Sequence, residues 1–222
     1  MNKQPLQARE EQQPRRWCYA CRRPRVTCLC ASITRLATRS RLVLLTHPLE
    51  YRRVRIGTGR ITHLSLPNSE VHVGVDFSKH KRINEVINDC RTESYLLYPD
   101  RARLNLSRGE YMPQPQRPPV FFLIDSTWTC AKKVLRRSGN VRALPRVGFD
   151  LVAESDFAIK RQPDRACLAT IEAAHRCLMA LAAHGHESLE AEDGRRLLAP
   201  FLRIMEIQQD YPGAPLAAVN AR

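Results

Sequence analysis

Apolar and polar positions follow two periods along this chain, and the switches between them outline its elements. RLVLLTHP at 41–48 is apolar on consecutive positions, as a strand buried on both faces requires, and His47-Pro48 ends it. Val120 to Ile124 repeat that signature. The pattern then changes abruptly, with Ala131, Val134 and Leu135 recurring at helical spacing in a helix expected from about residue 128. SEVHVGV at 69–75 alternates like a half-buried strand, and SYLLYPD at 94–100 reads as a short strand running into a proline. HKRINEVINDC at 80–90 puts Ile83, Val86, Ile87 and Cys90 on one helical face. YRRVRIGTGRITHLSL at 51–66 is basic and interrupted by Gly57 and Gly59, which predicts a loop leading into a short helix.

Residues 100–119, rich in Arg and Pro, read as a long exposed loop, and LPRVGFDLV at 144–152 as an edge strand. LATIEAAHRCLMALAAHG at 168–185 is a helix with Ile171, Leu178, Leu181 and Ala182 on its apolar face and Gly185 at its end. The last periodic stretch holds Leu197, Leu198, Phe201, Ile204 and Met205. Pro200 either kinks that helix or restarts it, and DYPGAP stops it. Alternating strands and helices predict an α/β domain with a mostly parallel sheet. Ligands of such sheets bind beyond the carboxyl ends of the strands. Three polar or proline-rich exits qualify: Thr46-His47-Pro48, Tyr98-Pro99-Asp100, and Asp125 to Trp128.

Composition adds a partner. Lys and Arg outnumber Asp and Glu by 36 to 22, a formal net charge of +14, with arginine the main contributor. Such an excess suits bidentate contacts to phosphates, so a nucleic acid is expected. No apolar run reaches bilayer-spanning length and the first residues lack a signal-peptide core, so a soluble cytoplasmic protein is expected. Nothing marks a subunit interface, and a monomer is expected. Eight cysteines without an export signal argue against a disulfide framework. Cys90, Cys130, Cys167 and Cys177 are scattered and read as buried thiols.

Cys18, Cys21, Cys28 and Cys30 instead form a C-x2-C pair and a C-x-C pair separated by six residues. Two close thiolate pairs complete a tetrahedral four-sulfur site, with structural zinc the leading ligand and an iron–sulfur cluster the rival. Arg22, Arg23 and Arg25 lie in the intervening loop, where they offset the charge of such a centre. The organisation expected is a basic lead-in at 1–16, a four-cysteine module at 17–38, a main domain at 39–208 and a tail at 209–222.

With these residues assembled, the chain resembles the DTW-domain family, and within it the bacterial tRNA-uridine aminocarboxypropyltransferases. The resemblance rests on Asp125-Ser126-Thr127-Trp128 as a D-x-T-W signature and on the four cysteines. THPLEYRRVRIGTGRITHLSLPN, LLYP and IKRQP…LATIEA follow the family in the same order. It implies a SPOUT-like α/β fold with a carboxyl-terminal trefoil knot, beside the small zinc module. It also implies S-adenosylmethionine as donor of a 3-amino-3-carboxypropyl group to N3 of a tRNA uridine, in the variable loop, with 5′-methylthioadenosine released. Where the family often has Ser, this chain has Ala169, which removes the S-x-x-E capping box with Glu172.

The chemistry implied requires the N3 proton to leave, and Asp125 is the candidate general base. From the residues alone Asp125 serves equally well as the cap of the following helix. Trp128 is placed against the adenine or the sulfonium, and Ser126 and Thr127 at the amino acid end of the cofactor. Thr46, Pro48, Leu97, Tyr98, Pro99 and Thr170 form further walls, and Arg161 clamps a carboxylate or a phosphate. Arg52, Arg53, Arg55, Arg60, Lys132, Lys133 and Arg136 are the candidate RNA contacts. An RNA methyltransferase using the same cofactor, the same chemistry on ribosomal RNA, and a non-catalytic zinc-containing RNA-binding module stay open.

Overall fold

The computed structural model describes residues 17–53, 57–99, 104–110, 116–150 and 168–210. Strands β1 (Trp17–Cys18) and β2 (Arg23–Pro24) form a small antiparallel hairpin. The main sheet comprises β3 (Arg41–Thr46), β4 (Ser69–Val73), β5 (Glu93–Leu97), β6 (Leu104–Asn105), β7 (Pro119–Asp125) and β8 (Arg146–Gly148). Their order is β4-β3-β7-β5-β8-β6, and every pairing is parallel. All six therefore end on one side of the molecule.

Helices α1 (Pro48–Arg53), α2 (Thr58–Ser65), α3 (Lys81–Ile87), α4 (Trp128–Arg137), α5 (Gly139–Arg142), α6 (Thr170–Ala183) and α7 (Ala191–Asp210) complete the domain. The consecutive apolar residues of β3 and β7 divide between two cores, as strands covered on both faces must. Leu42, Leu44, Phe121 and Leu123 face α2, α6 and α7, whereas Val43, Leu45, Val120 and Phe122 face α3, α4 and α5. Leu29 and Leu36 join the first core, so the cysteine hairpin is seated on the body of the domain.

Several boundaries differ from expectation. The 100–119 stretch contributes a sixth strand at Leu104–Asn105 and a 3-10 turn at Leu106–Arg108, so it is not one exposed loop. Strand β8 lies between β5 and β6 rather than at an edge. A helix starts at once at Pro48, whose missing N–H costs nothing at a first helical position. Pro200 sits buried inside α7, which continues through it. Cys177 is buried and Cys130 half-buried, but Cys90 is exposed; Cys167 lies outside the described residues. Residues 151–167 and 211–222, part of the carboxyl-terminal region in which the resemblance implies a knot, lie outside the described residues.

Among the described residues no helix is long and apolar enough to cross a membrane. Phe121, fully buried at the centre of the sheet, has no room to collapse around a smaller side chain. Phe121→Ala is expected to lower unfolding free energy by about 3–5 kcal/mol, read by denaturant titration.

Candidate functional site

The carboxylate of Asp125 is 8% exposed at the carboxyl end of β7 and joins three other elements. Thr46, at the end of the neighbouring β3, donates its hydroxyl to Oδ2 at 3.2 Å. Thr170, the first residue of α6, donates to Oδ1 at 2.7 Å. Gly59 in the first turn of α2 lies so close that a Cβ there would stand 2.2 Å from Oδ2 and 2.5 Å from Cγ. Thr58 closes the ring by accepting the backbone N–H of Thr170 on its hydroxyl at 3.0 Å. The first turns of two helices thus meet at one carboxylate, which accepts both threonine hydroxyls.

Asp125 is therefore held by β3 and α6, while the N-cap residue of α4 is Thr127. Ala169 opens α6 without a side-chain acceptor, but half the capping box survives, since its N–H donates to Glu172 Oε2 at 2.8 Å. His47 has a structural role, accepting the Leu49 N–H on Nδ1 at 3.2 Å, and burial together with Lys133 lowers its pKa.

A cleft opens beside this carboxylate, beyond the ends of β5, β7 and β8. Leu97, Tyr98, Pro99, Ser126, Trp128 and Thr170 line it, together with Leu123, Ile124, Ala131, Gly148, Phe149, Leu168 and Ala173. Its volume is about 850 Å³ counting the open mouth. Trp128 meets Tyr98 edge to face at 5.9 Å, and the Arg146 guanidinium lies 5.7 Å from the Tyr98 ring centroid. Burial raises the Tyr98 pKa, with Arg146 pulling the other way.

Six of the residues singled out as cofactor walls are thus brought together. Thr46 and Asp125 stand behind the wall formed by Thr170, and Thr127 and Pro48 cap and open their helices away from the lining. Arg161 and Arg55 lie outside the described residues, as do the side chains of Arg52 and Arg53. Lys132, Lys133 and Arg136 project from the exposed face of α4. Arg60 gives its Nε to the Ala20 carbonyl at 2.9 Å, so that nitrogen holds the cysteine hairpin instead of a phosphate.

Gly59 and Thr58 escaped the sequence reading as site residues. The available signal was glycine inside a helical stretch, which costs about 1 kcal/mol against Ala and so marks a close approach. Gly59→Ala is expected to push the Asp125 carboxylate out of its cradle and cost about 1–3 kcal/mol, measured by thermal unfolding. Gly139→Ala is the control, because a Cβ there meets nothing within 4 Å.

The four hairpin cysteines form a second site. Their sulfurs all lie within 4.8 Å of one another, with Cys18–Cys30 and Cys21–Cys28 each at 3.6 Å. A tetrahedral ion with bonds of about 2.3 Å puts sulfurs about 3.8 Å apart, so one zinc-sized ion fits. A four-iron cluster holds its thiolates farther apart and does not fit this spacing. Arg23 is buried beside this centre. Desolvation lowers its pKa, and the sulfurs of Cys21 and Cys28 oppose that change. Metal analysis should find one zinc per chain, and Cys21→Ser should lose it.

Fold and sites together define a parallel α/β protein with a ligand cleft at its strand ends and a four-thiolate hairpin. The DTW domain profile matches residues 15–209, and the chain belongs to the DTW-domain family. It is similar to tRNA-uridine aminocarboxypropyltransferase 2 of Drosophila melanogaster, 32% identical over 171 residues, covering 74% of this chain and 66% of that protein. The protein of that name from Mus musculus is 31% identical over 162 residues, covering 71% and 53%. tRNA-uridine aminocarboxypropyltransferase A of Arabidopsis thaliana is 25% identical over 224 residues, covering 89% and 82%. The matched regions span about half to two thirds of the fly and mouse relatives. No solved structure matches significantly.

Proposed function

We propose that this chain transfers the 3-amino-3-carboxypropyl group of S-adenosylmethionine to N3 of a tRNA uridine, in the variable loop, with release of 5′-methylthioadenosine. The names of the relatives support the transferase class and the tRNA substrate. The observation that carries the chemistry is Thr170, whose side chain both lines the cleft and donates to Asp125 at 2.7 Å.

Bound S-adenosylmethionine supplies a methylene carbon activated by the adjacent sulfonium. Trp128 and Tyr98 offer aromatic surface to the adenine or the sulfonium, and the Ser126 hydroxyl is available to the amino acid end. Asp125 accepts the N3 proton through the Thr170 hydroxyl. As Thr170 passes its own proton to Oδ1, it takes the one from N3. The freed nitrogen pair forms the N–C bond, and the broken C–S bond leaves its pair on a neutral thioether. No acid is needed for that leaving group. The remaining contribution is alignment of N3 with the carbon.

The same reading carries a SPOUT-like knotted threading for residues 39–208, residues 17–38 as a zinc module, and Arg161 as a contact to the cofactor carboxylate or an RNA phosphate. It also carries a cytoplasmic location and phosphate contacts from Arg52, Arg53, Arg55, Lys132, Lys133 and Arg136.

The test is mass spectrometry of tRNA from cells lacking the protein, after incubation with purified protein and S-adenosylmethionine. An aminocarboxypropyl gain on uridine is expected. A methyl gain, with S-adenosylhomocysteine released, would make the protein a methyltransferase, and no gain on competent tRNA would overturn the tRNA reading. Asp125→Asn and Thr170→Val should each slow transfer by about 10² to 10⁴ while cofactor affinity persists, and Thr170→Ser should retain most of the rate. Near-normal turnover in Asp125→Asn would remove it as the base.

A further inference from the structure

Eight large apolar or aromatic side chains are exposed among the described residues, and five of them fall on two short segments, Trp17–Val26 and Leu49–Tyr51. Tyr19 is 85% exposed and Val26 92%, both on the turns of the cysteine hairpin. Leu49 and Tyr51, at 49% and 40%, are on α1. The two segments are joined directly. Arg22, held at φ +57 in the left-handed region, stacks its guanidinium 4.3 Å from the Tyr51 ring centroid and donates to the Tyr51 hydroxyl. The Arg60 bond to Ala20 fixes the hairpin to α2 from the other side.

This surface is linked to the candidate site through the backbone. Tyr51 donates its N–H to the His47 carbonyl, and His47 donates its own to the Asp125 carbonyl. Isolated apolar residues on a surface mean little, but aromatic rings beside guanidinium groups on a rigid hairpin are a different matter. Aromatic faces that accept any base, with cations beside them for the backbone, are how single-stranded nucleic acid is held. Arg22 and exposed Arg25 supply that charge on a chain of net charge +14. The excess of arginine favours an anionic partner, as a nucleic-acid backbone is.

We infer that the cysteine hairpin and α1 form a stacking platform for unpaired RNA nucleotides flanking the reacting one, with Tyr19 as its principal ring and Arg22 on Tyr51 as its second plane. The inference rests on the RNA-modifying reading above and assigns the hairpin a direct role in holding the substrate. A nucleotide stacked there keeps the adjoining one extruded toward the cleft.

The experiment measures binding of tRNA, taken from cells lacking the protein, to the full zinc-loaded chain by fluorescence anisotropy across a salt series. Tyr19→Ala is expected to weaken binding about tenfold, and Tyr19→Trp to bind as the natural chain does, because a ring and not a hydroxyl is required. The salt dependence should be unchanged in Tyr19→Ala, since no phosphate contact is lost, and should become shallower by about one ion in Arg25→Ala. Zinc content, measured on every variant, should stay at one equivalent. Equal binding by Tyr19→Ala and the natural chain overturns the platform alone. Failure of the natural chain to bind any tRNA overturns the functional reading beneath it. A natural chain that sediments as a dimer and becomes a monomer on Tyr19→Ala would make the patch a contact between two copies.

Discussion

A single buried carboxylate ties the strand ends of this protein to its helices. Asp125 takes hydroxyls from β3 and α6 and lies against the backbone of α2, so three separate stretches of chain are registered on two oxygen atoms. An unsatisfied carboxylate at that depth would cost several kcal/mol, which makes the arrangement all or none. The cleft inherits its shape from it. Thr170 stands in the wall because its hydroxyl is drawn back to Asp125, and α2 enters at its angle because only a glycine allows the approach.

The cysteine hairpin obeys a comparable constraint at a larger scale. Its sulfurs match one tetrahedral ion, Leu29 is sunk in the core, Arg22 reaches Tyr51 of α1, and Arg60 of α2 reaches back to the Ala20 carbonyl. A four-sulfur cluster placed this way ties the hairpin to α1 and α2, the elements that flank the strand ends. Arg23 shows the electrostatic side: desolvation lowers its pKa, and the adjacent Cys21 and Cys28 sulfurs pull the other way.

How much of this could be read from the chain depended on how many residues carried each signal. β3 and β7 were legible because Leu42 to Leu45 and Val120 to Ile124 are apolar on consecutive positions, and α6 because four turns repeat one stripe. β6, with two residues, is too short for any period to show, whereas β8 was legible as a strand but its place between β5 and β6 comes from tertiary pairing alone. At the site, the polar strand exits identified Tyr98, Ser126 and Trp128 because parallel sheets bind ligands there. Gly59 meets Asp125 only after folding brings α2 across the sheet, and Arg60 spends a nitrogen on a backbone carbonyl that no charge count reveals.

The seating of Leu29 has a consequence for synthesis of the protein. Leu29 shares its core with Leu197, Phe201 and Ile204 of α7, so the first described module of the chain closes against the last described helix. Contacts of such sequence separation form late and slowly. During translation the hairpin precedes α7, so the part of its apolar underside that packs on α7 stays uncovered until that helix has left the ribosome.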